Sequence, residues 1–235
     1  MAFELRRTVG LIPLLVLIAG CAVVPGKDAG TPRPSTGTHL FDAVTVLQDQ
    51  WLHFSLRGKT DYRMAVMNGR VAIRAIGQQS ASGLIRRVAI DPVKCPIIEW
   101  SWSVTKIQQG ADLRVKEAED VAASIFLMFG DPGFLFDPKP VPTLRYVWTN
   151  DRLPLDTIID NPYLPGTVRS IVVESGGKRV DEWVIERRNM SKDFEKAFGY
   201  PPKKNIQAIV LFTDNDQTLQ PVEAYYGWAR VVCEP

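Results

Sequence analysis

Residues 97–104 read Ile-Ile-Glu-Trp-Ser-Trp-Ser-Val, and this stretch decides the fold. Ile98, Trp100, Trp102 and Val104 alternate with three polar residues. Alternation with a period of two is what a β-strand produces when one of its faces is buried. The segment therefore predicts a strand whose two tryptophans lie in the core of a sheet protein.

Segments of the same kind recur at short intervals along the chain. They cover residues 64–66, 71–76, 84–90, 144–148, 168–174, 183–188, 206–213 and 224–232. Residues 121–129 are apolar on both faces, which is typical of a central strand. Asn68-Gly69, between two of the segments, is a strong hairpin signal.

Helical signals are scarce. Ser191 can cap a short helix over residues 191–198, and Gly199 can end it. Residues 131–142 and 160–166 are rich in proline and predict long loops. The chain is therefore predicted to be all-β: a jelly-roll-like antiparallel β-sandwich with one short helix and long Pro-rich loops.

The first residues have the features of an export signal. Arg6 and Arg7 precede an apolar run at 11–19, and Ile-Ala-Gly then leads to Cys21. The run is shorter than the roughly 20 residues that span a bilayer, and its small-residue ending resembles a bacterial lipobox. Residues 1–20 are thus predicted to be a lipoprotein signal peptide, with a plain signal peptide or one membrane anchor as alternatives.

In proteins with a lipobox, the cysteine is acylated and attaches the mature chain to a membrane. Ala22 follows Cys21, and the lipoprotein sorting rule reserves inner-membrane retention mainly for Asp at that position. We expect a bacterial cell-envelope protein, lipid-anchored through Cys21 in the outer membrane and facing the periplasm. Residues 21–38 read as the lipidated cysteine and a flexible tether, and residues 39–235 as a single β-sandwich domain.

Charge and cysteine content narrow the classes further. With 28 basic and 26 acidic residues the formal net charge is +2. A charge this small gives no strong positive potential that would attract nucleic acid. Cys95 and Cys233 lie at the ends of predicted strands, and an exported compartment permits a disulfide between them. Two buried free thiols are the alternative reading.

Catalytic and metal motifs are weak. The histidines are His39 and His53, and no serine-nucleophile elbow or closely spaced His or Cys pair occurs. Any acid–base chemistry would therefore fall to carboxylates, Lys, Arg or Tyr. Asp214 and Asp216 form an Asp-rich turn after a strand. No metal or other cofactor is favoured, and a loose Ca²⁺ site at these two residues stays open as the alternative.

Polar and aromatic residues at strand ends and in loops are the candidates for ligand binding. They are Asp112, Arg114, Lys116, Asp120, Trp148, Asn161, Tyr163, Asp214 and Asp216. Arg114 would grip a carboxylate or hydroxyls, and Trp148 and Tyr163 would stack on a ring. Loops of a sandwich cluster at its ends, so we expect Arg114, Trp148, Tyr163 and Asp214 around one concavity. A solvated loop at 112–120 and a core position for Trp148 are the alternatives.

Several short motifs together resemble one bacterial family. They are Asp-Leu-Arg-Val-Lys at 112–116 followed by Asp120, Tyr-Val-Trp at 146–148, Asn-Pro-Tyr at 161–163, Val-Val-Glu-Ser-Gly at 172–176, Glu-Arg-Arg-Asn at 186–189 and Thr-Asp-Asn-Asp at 213–216. The chain resembles domain-of-unknown-function family 3047 over residues 41–232. The resemblance implies an exported, mostly β domain, and it implies no activity, substrate or catalytic residue.

The sequence thus favours a non-catalytic lipoprotein domain that binds a glycan or another envelope polymer. A carboxylate-dependent enzyme acting on saccharides is the second hypothesis, and it requires two carboxylates paired in a cleft. The third is a structural or assembly lipoprotein, which requires an exposed apolar face for a protein partner that the sequence does not identify.

Overall fold

The structure is a computed structural model that describes residues 37–48, 51–134, 137–150 and 153–233. The expected signal peptide, Cys21 and the tether up to residue 36 lie outside these residues. Within the described part of the chain, no helix is long and apolar enough to cross a membrane.

Short strands make up most of the domain. In chain order they are β1 (Thr38–Asp42), β2 (Leu52–Arg57), β3 (Asp61–Met67), β4 (Arg70–Ile76), β5 (Ala81–Ile90), β6 (Ile97–Lys106), β7 (Ala123–Phe129), β8 (Gly133–Phe134), β9 (Asp137–Pro138), β10 (Thr143–Thr149), β11 (Ile158–Asp160), β12 (Val168–Ser175), β13 (Val184–Asn189), β14 (Ile206–Asp214) and β15 (Glu223–Val232). The helices are α1 (Ala43–Gln48) and α2 (Met190–Phe198), with a 3-10 turn at Lys116–Ala118.

Two sheets face each other. The six-stranded sheet has the order β13-β6-β15-β4-β3, and β1 also pairs with β15. The seven-stranded sheet has the order β11-β12-β10-β7-β14-β5-β2. The pairings within these two sheets are antiparallel except for β10 with β12, which is parallel. This confirms the predicted jelly-roll-like β-sandwich and adds one parallel pair to it.

The core between the sheets is aromatic. Trp100 and Trp102 of β6 are fully buried, as their alternation predicts. Trp100 stacks on Tyr146 of β10 at 5.0 Å between ring centroids, and Trp102 meets Trp148 of β10 at 6.0 Å. Large rings that interdigitate in this way bury extensive apolar area. Removal of that area from water is the main contribution that holds the sheets together.

Local sequence signals account for the turns and helix ends. Asn68 and Gly69 both have positive φ, as a tight hairpin between β3 and β4 requires. Helix α2 begins one residue before the predicted start, because the Oδ1 atom of Asn189 accepts the Lys192 N–H at 3.0 Å and makes Asn189 the cap. Gly199 ends the helix with φ of 82°.

Helix α1 is a short element that the sequence patterns did not predict. The Oδ1 atom of Asp42 accepts the backbone N–H groups of Val44 and Thr45, each at 2.9 Å. This cap satisfies donors that are otherwise unpaired at a helix start.

Cys95 and Cys233 form a disulfide in the structure. The bond joins the segment before β6 to the end of β15, two residues separated by 138 positions in sequence. It therefore closes a loop that contains most of the domain.

Candidate functional site

A long loop at residues 107–122 covers the outer face of the seven-stranded sheet. Its Leu113 and Val121 pack against Val147 and Val172, so that a small second core forms outside the main one. Side chains alternate along a strand, which places Val147 and its neighbour-but-one Arg145 on this outer face. The loop thereby buries a charged residue under its own cover.

Arg145 is the buried centre of this arrangement, with a side-chain exposure of 2%. Its Nη1 atom donates to Oε1 of Glu119, and its Nη2 atom lies 4.0 Å from Oδ1 of Asp214. The guanidinium also lies 5.0 Å from the centroid of the Phe126 ring. Nε and Nη2 make no hydrogen bond to the residues that the structure describes. The sequence analysis did not identify Arg145 as a site residue.

Two buried carboxylates beside this arginine, Glu119 and Asp214, belong to a group of four that we call the acid cluster: Glu119, Asp120, Asp214 and Asp216. Oxygen atoms of the three aspartates lie within 4.8 Å of one another. Burial raises the pKa of Asp214 well above its ordinary value, and the charges of Glu119 and Asp120 add to that effect although Arg145 opposes it. Burial likewise raises the pKa values of Glu119 and Asp216. Burial and mutual repulsion thus disfavour the ionised forms of these carboxyl groups.

Hydrogen bonds tie three loops together around the cluster. The carboxylate of Asp120 accepts the Gln217 N–H at 3.2 Å and the Thr218 N–H at 2.6 Å. The side chain of Asn161 donates from Nδ2 to Oε1 of Glu119 at 3.1 Å. Segments that are distant in sequence therefore meet at one end of the seven-stranded sheet.

Tyr163 closes the outer side of the same region. Its hydroxyl donates to the Lys116 carbonyl at 2.7 Å and accepts from Nε2 of Gln217 at 3.1 Å. The Nζ atom of Lys116 lies 4.9 Å from the centroid of its ring. Of the predicted ligand residues, the structure thus brings together Lys116, Asp120, Asn161, Tyr163, Asp214 and Asp216.

The other three predicted ligand residues take different roles. Trp148 is fully buried between the sheets, and its Nε1 donates to the Gly176 carbonyl at 3.2 Å. The expectation that Trp148 stacks on a ligand and lines a concavity shared with Arg114, Tyr163 and Asp214 is therefore wrong. Arg114 and Asp112 pair with each other through two exposed contacts of 2.8 and 2.7 Å. The solvated-loop alternative therefore holds for this pair, although Glu119 and Asp120 at the end of the same loop are buried.

A separate cleft of about 530 Å³ opens where the edge strands of the two sheets come close, and we call it the edge cleft. Strand β2 forms one edge and β3 the other. The residues that line it are Val46, Trp51, His53, Lys59, Thr60, Asp61, Tyr62, Gln78 and Leu84. It combines aromatic rings with hydrogen-bonding side chains.

Contacts behind the edge cleft fix its rings. The Tyr62 hydroxyl donates to the Ser82 carbonyl at 2.8 Å and accepts the Thr213 N–H at 3.1 Å. The His53 ring lies edge-on to Tyr62 at 5.6 Å, and its Nε2 is 2.9 Å from Oγ of Ser82. Trp51 packs edge-on against Phe41, also at 5.6 Å. The rings are therefore held in place by the fold.

Two features of the edge cleft disfavour the charged form of its histidine. Burial lowers the pKa of His53, and the nearby Lys59 lowers it further. Sequence analysis did not assign this cleft, because it depends on two edge strands that come together only in the folded chain. Trp51 and His53, two rings spaced two residues apart where strand β2 begins, are a sequence signal that could have indicated it.

Solved structures with related folds include both binding modules and enzymes. The family 11 carbohydrate-binding module of the cellulase Lic26A-Cel5E of Clostridium thermocellum is 10% identical, with a TM-score of 0.42 over 85% of this chain and 97% of that one. The family 30 carbohydrate-binding module of Cel9D-Cel44B from the same organism is 10% identical, with a TM-score of 0.44 over 85% of this chain and 99% of that one. The xyloglucanase domain of NopAA from Sinorhizobium fredii is 8% identical, with a TM-score of 0.38 over 78% of this chain and 96% of that one. Similarities this distant carry no argument about function.

Sequence comparison places the chain in a family. No curated protein matches it. The family model described as protein of unknown function (DUF3047) matches residues 49–229, which is most of the described domain. The resemblance seen in the short sequence motifs is therefore confirmed, and this chain is a member of the DUF3047 family.

Proposed function

We propose that this protein is a lipid-anchored cell-envelope protein whose domain binds a saccharide in the edge cleft without catalysing a reaction on it. The observation that carries the proposal is the composition of the cleft: fixed aromatic rings next to exposed polar side chains. A sugar presents apolar C–H faces and a rim of hydroxyls, and an aromatic ring with polar neighbours matches both.

The cleft supplies both kinds of contact. Trp51 and Tyr62 offer ring surface, and the exposed side chains of Lys59 and Gln78 offer donors. The rings are held by the contacts behind them, so ligand binding does not have to order them. A preorganised site loses less entropy on binding, which raises affinity for the same contacts.

The geometry favours binding over hydrolysis. Glycosidases generally use two carboxyl groups on either side of the scissile bond. Among the described residues that line the edge cleft, Asp61 is the one acidic residue, and Arg63 donates to it from Nε at 2.8 Å. The acid cluster brings carboxylates close together, but its members are buried rather than open to a substrate. The enzyme hypothesis is therefore the weaker one.

The location in the envelope rests on the sequence. The lipobox-like ending at Cys21 supports a lipid anchor, and Ala22 supports the outer membrane. The tether that the sequence predicts at residues 21–38 would reach on the order of 20–25 Å as a flexible coil. Such a reach would let the domain engage a periplasmic polymer while it stays attached to the membrane.

A thermal-shift screen of the full chain against peptidoglycan fragments and envelope oligosaccharides tests the proposal. At least one saccharide should raise the unfolding midpoint, because a ligand that binds only the native state stabilises it. The double variant Lys59→Ala/Gln78→Ala should lose that shift, and the variant Gln109→Ala, at an exposed glutamine outside the cleft, should keep it. A panel that gives no shift, or a shift that survives the double variant, contradicts the proposal.

One exposed apolar surface favours an assembly role as a second candidate function. Met64, Val66 and Val71 are 51%, 69% and 51% exposed. Val66 is the direct cross-strand partner of Val71, so the three side chains share one face of the β3–β4 hairpin. Val66→Lys should abolish crosslinking of the protein to an envelope partner if this face binds one. Unchanged crosslinking in that variant would exclude the role for this face.

A further inference from the structure

The acid cluster contains more negative charge than the surrounding groups neutralise. Its four carboxylates meet two guanidinium groups, Arg145 at the buried side and Arg57 at the surface. Arg57 lies 3.7 Å from Oδ2 of Asp216 and is 66% exposed on its side chain. Among the described residues, the carboxyl groups of the cluster thus outnumber the guanidinium groups beside them by two. Burying unpaired charge is strongly unfavourable, so a cluster of this kind either takes up protons or binds a cation.

Two buried oxygen atoms have no donor among the described residues, one on Asp216 of the cluster and one on Gln108, which bonds to the backbone of Asp214. Oδ1 of Asp216 accepts no hydrogen bond, although the side chain is 8% exposed. Gln108 is fully buried, and its Nε2 donates to the Asp214 carbonyl, so that its Oε1 is the atom left without a partner. The Asp214 carbonyl fixes this orientation of the amide, because the flipped amide would put two acceptors together. Buried acceptors without donors are uncommon and indicate a missing partner.

The structure points to a calcium ion as that partner: we propose that Asp120, Asp214 and Asp216 bind Ca²⁺ through their carboxylates. Ca²⁺ takes six to eight oxygen ligands at about 2.3–2.6 Å, so that ligands on opposite sides of it are roughly 5 Å apart. One carboxylate oxygen from each of the three aspartates lies within 4.8 Å of the other two, as this geometry requires. Mg²⁺ holds its ligands at about 2.0–2.1 Å and demands a tighter octahedron.

The hydrogen bonds already present are compatible with the ion. Each carboxylate oxygen has two lone-pair sites, so Asp120 can accept from Gln217 and Thr218 and still bind a cation. The same holds for Oδ1 of Asp214, which accepts the Val121 N–H at 2.9 Å. The ion would join the loop at 107–122, the end of β14 and the turn that follows it. It is a structural site distinct from the edge cleft.

Calorimetric titration of the metal-free full chain with CaCl₂, with thermal unfolding in parallel, tests the site without any saccharide. Ca²⁺ should bind with one-to-one stoichiometry. At a free concentration 100-fold above Kd it should raise the unfolding midpoint by about 5–10 °C. The same concentration of MgCl₂ should give a much smaller shift. No binding of Ca²⁺, or an equal response to Mg²⁺, overturns the inference.

Asp216→Asn is the decisive variant, because the amide preserves the shape and removes one charge from an oxygen that accepts no hydrogen bond. The variant should fold with at least wild-type stability in EDTA, since it relieves repulsion, and it should lose the calcium-induced shift. Asp131→Asn, at a 61% exposed aspartate paired with Arg87, should keep the full shift. A calcium shift that persists in Asp216→Asn contradicts the site.

Discussion

Replacing Arg145 by methionine should destabilise the domain more than the same replacement of an exposed arginine. Arg145 is 2% exposed, and it neutralises Glu119 directly and Asp214 from 4.0 Å. Methionine fills a similar volume beside Phe126 but leaves both carboxylates buried without their cation. Breaking a buried ion pair from one side costs about 3–5 kcal/mol, because the remaining charge stays in the interior. For a domain of this size the unfolding midpoint should fall by about 10 °C.

Urea unfolding in EDTA, followed by tryptophan fluorescence, measures this loss. Arg114→Met is the matched control: Arg114 is 56% exposed in its pair with Asp112, and exposed pairs contribute about 0–1 kcal/mol. Adding Glu119→Gln to Arg145→Met should recover part of the stability, because the amide carries no charge to leave unpaired. If Arg145→Met costs no more than Arg114→Met, the buried charge network does not stabilise the fold as described.

The pH dependence of the same variant has a definite sign. Burial already raises the pKa of Glu119 above its ordinary value, and loss of the arginine raises it further. A raised native pKa means that the native state binds the proton more tightly than the unfolded chain, so stability increases as pH falls. The deficit of Arg145→Met should therefore shrink between pH 8 and pH 5. A constant deficit over that range would mean that Glu119 is not the group left unpaired.

Three further predictions concern other parts of the chain. Cys21→Ser should move the protein from the membrane fraction to the soluble fraction, and continued sedimentation after a salt wash would indicate an uncleaved anchor instead. Cys95→Ser should lower the free energy of unfolding by up to about 4–5 kcal/mol, since the disulfide closes a loop of more than a hundred residues; equal urea midpoints for the variant and the oxidised wild type would contradict this. Burial and the nearby Glu174 raise the pKa of Glu186 to about 7. Glu186→Gln should therefore stabilise the domain at pH 8, and the gain in urea midpoint should disappear as the pH falls through 7 toward 4.5; a gain that persists at pH 4.5 would exclude relief of this charge as its cause.

Periodicity was sufficient for the sandwich because each strand carries its own burial pattern. Trp100 and Trp102 alternate with polar residues, and this alone placed both in the core. The parallel pairing of β10 with β12 could not be predicted in this way, since the strand pattern does not say which neighbour a strand chooses. Helix α1 was missed because six residues are too few to show a helical period.

Part of the candidate site could be predicted, because local sequence patterns locate the ends of strands. Asp120, Asp214 and Asp216 follow or precede apolar strands, so their loops could be expected at strand ends. Arg145 was missed because an arginine within a strand reads as solvent-facing, and only the loop at 107–122 makes its face buried. Trp148 was misassigned because it lies near a strand end, although it alternates with Tyr146 on the core face. Burial by a distant segment is not encoded in local spacing.

The measurement that tests the central claim most directly is an NMR titration of the full chain with the saccharide that gives the largest thermal shift. Binding in the edge cleft predicts that the NMR resonances of the Trp51 indole N–H and the Gln78 side-chain amide shift at the lowest ligand concentrations. The side-chain amide resonance of Gln109 should not shift. The same concentrations should leave the backbone amides of Gln217 and Thr218 beside the acid cluster unchanged. Shifts that centre on those two amides, with Trp51 and Gln78 unmoved, would contradict a saccharide site in the edge cleft.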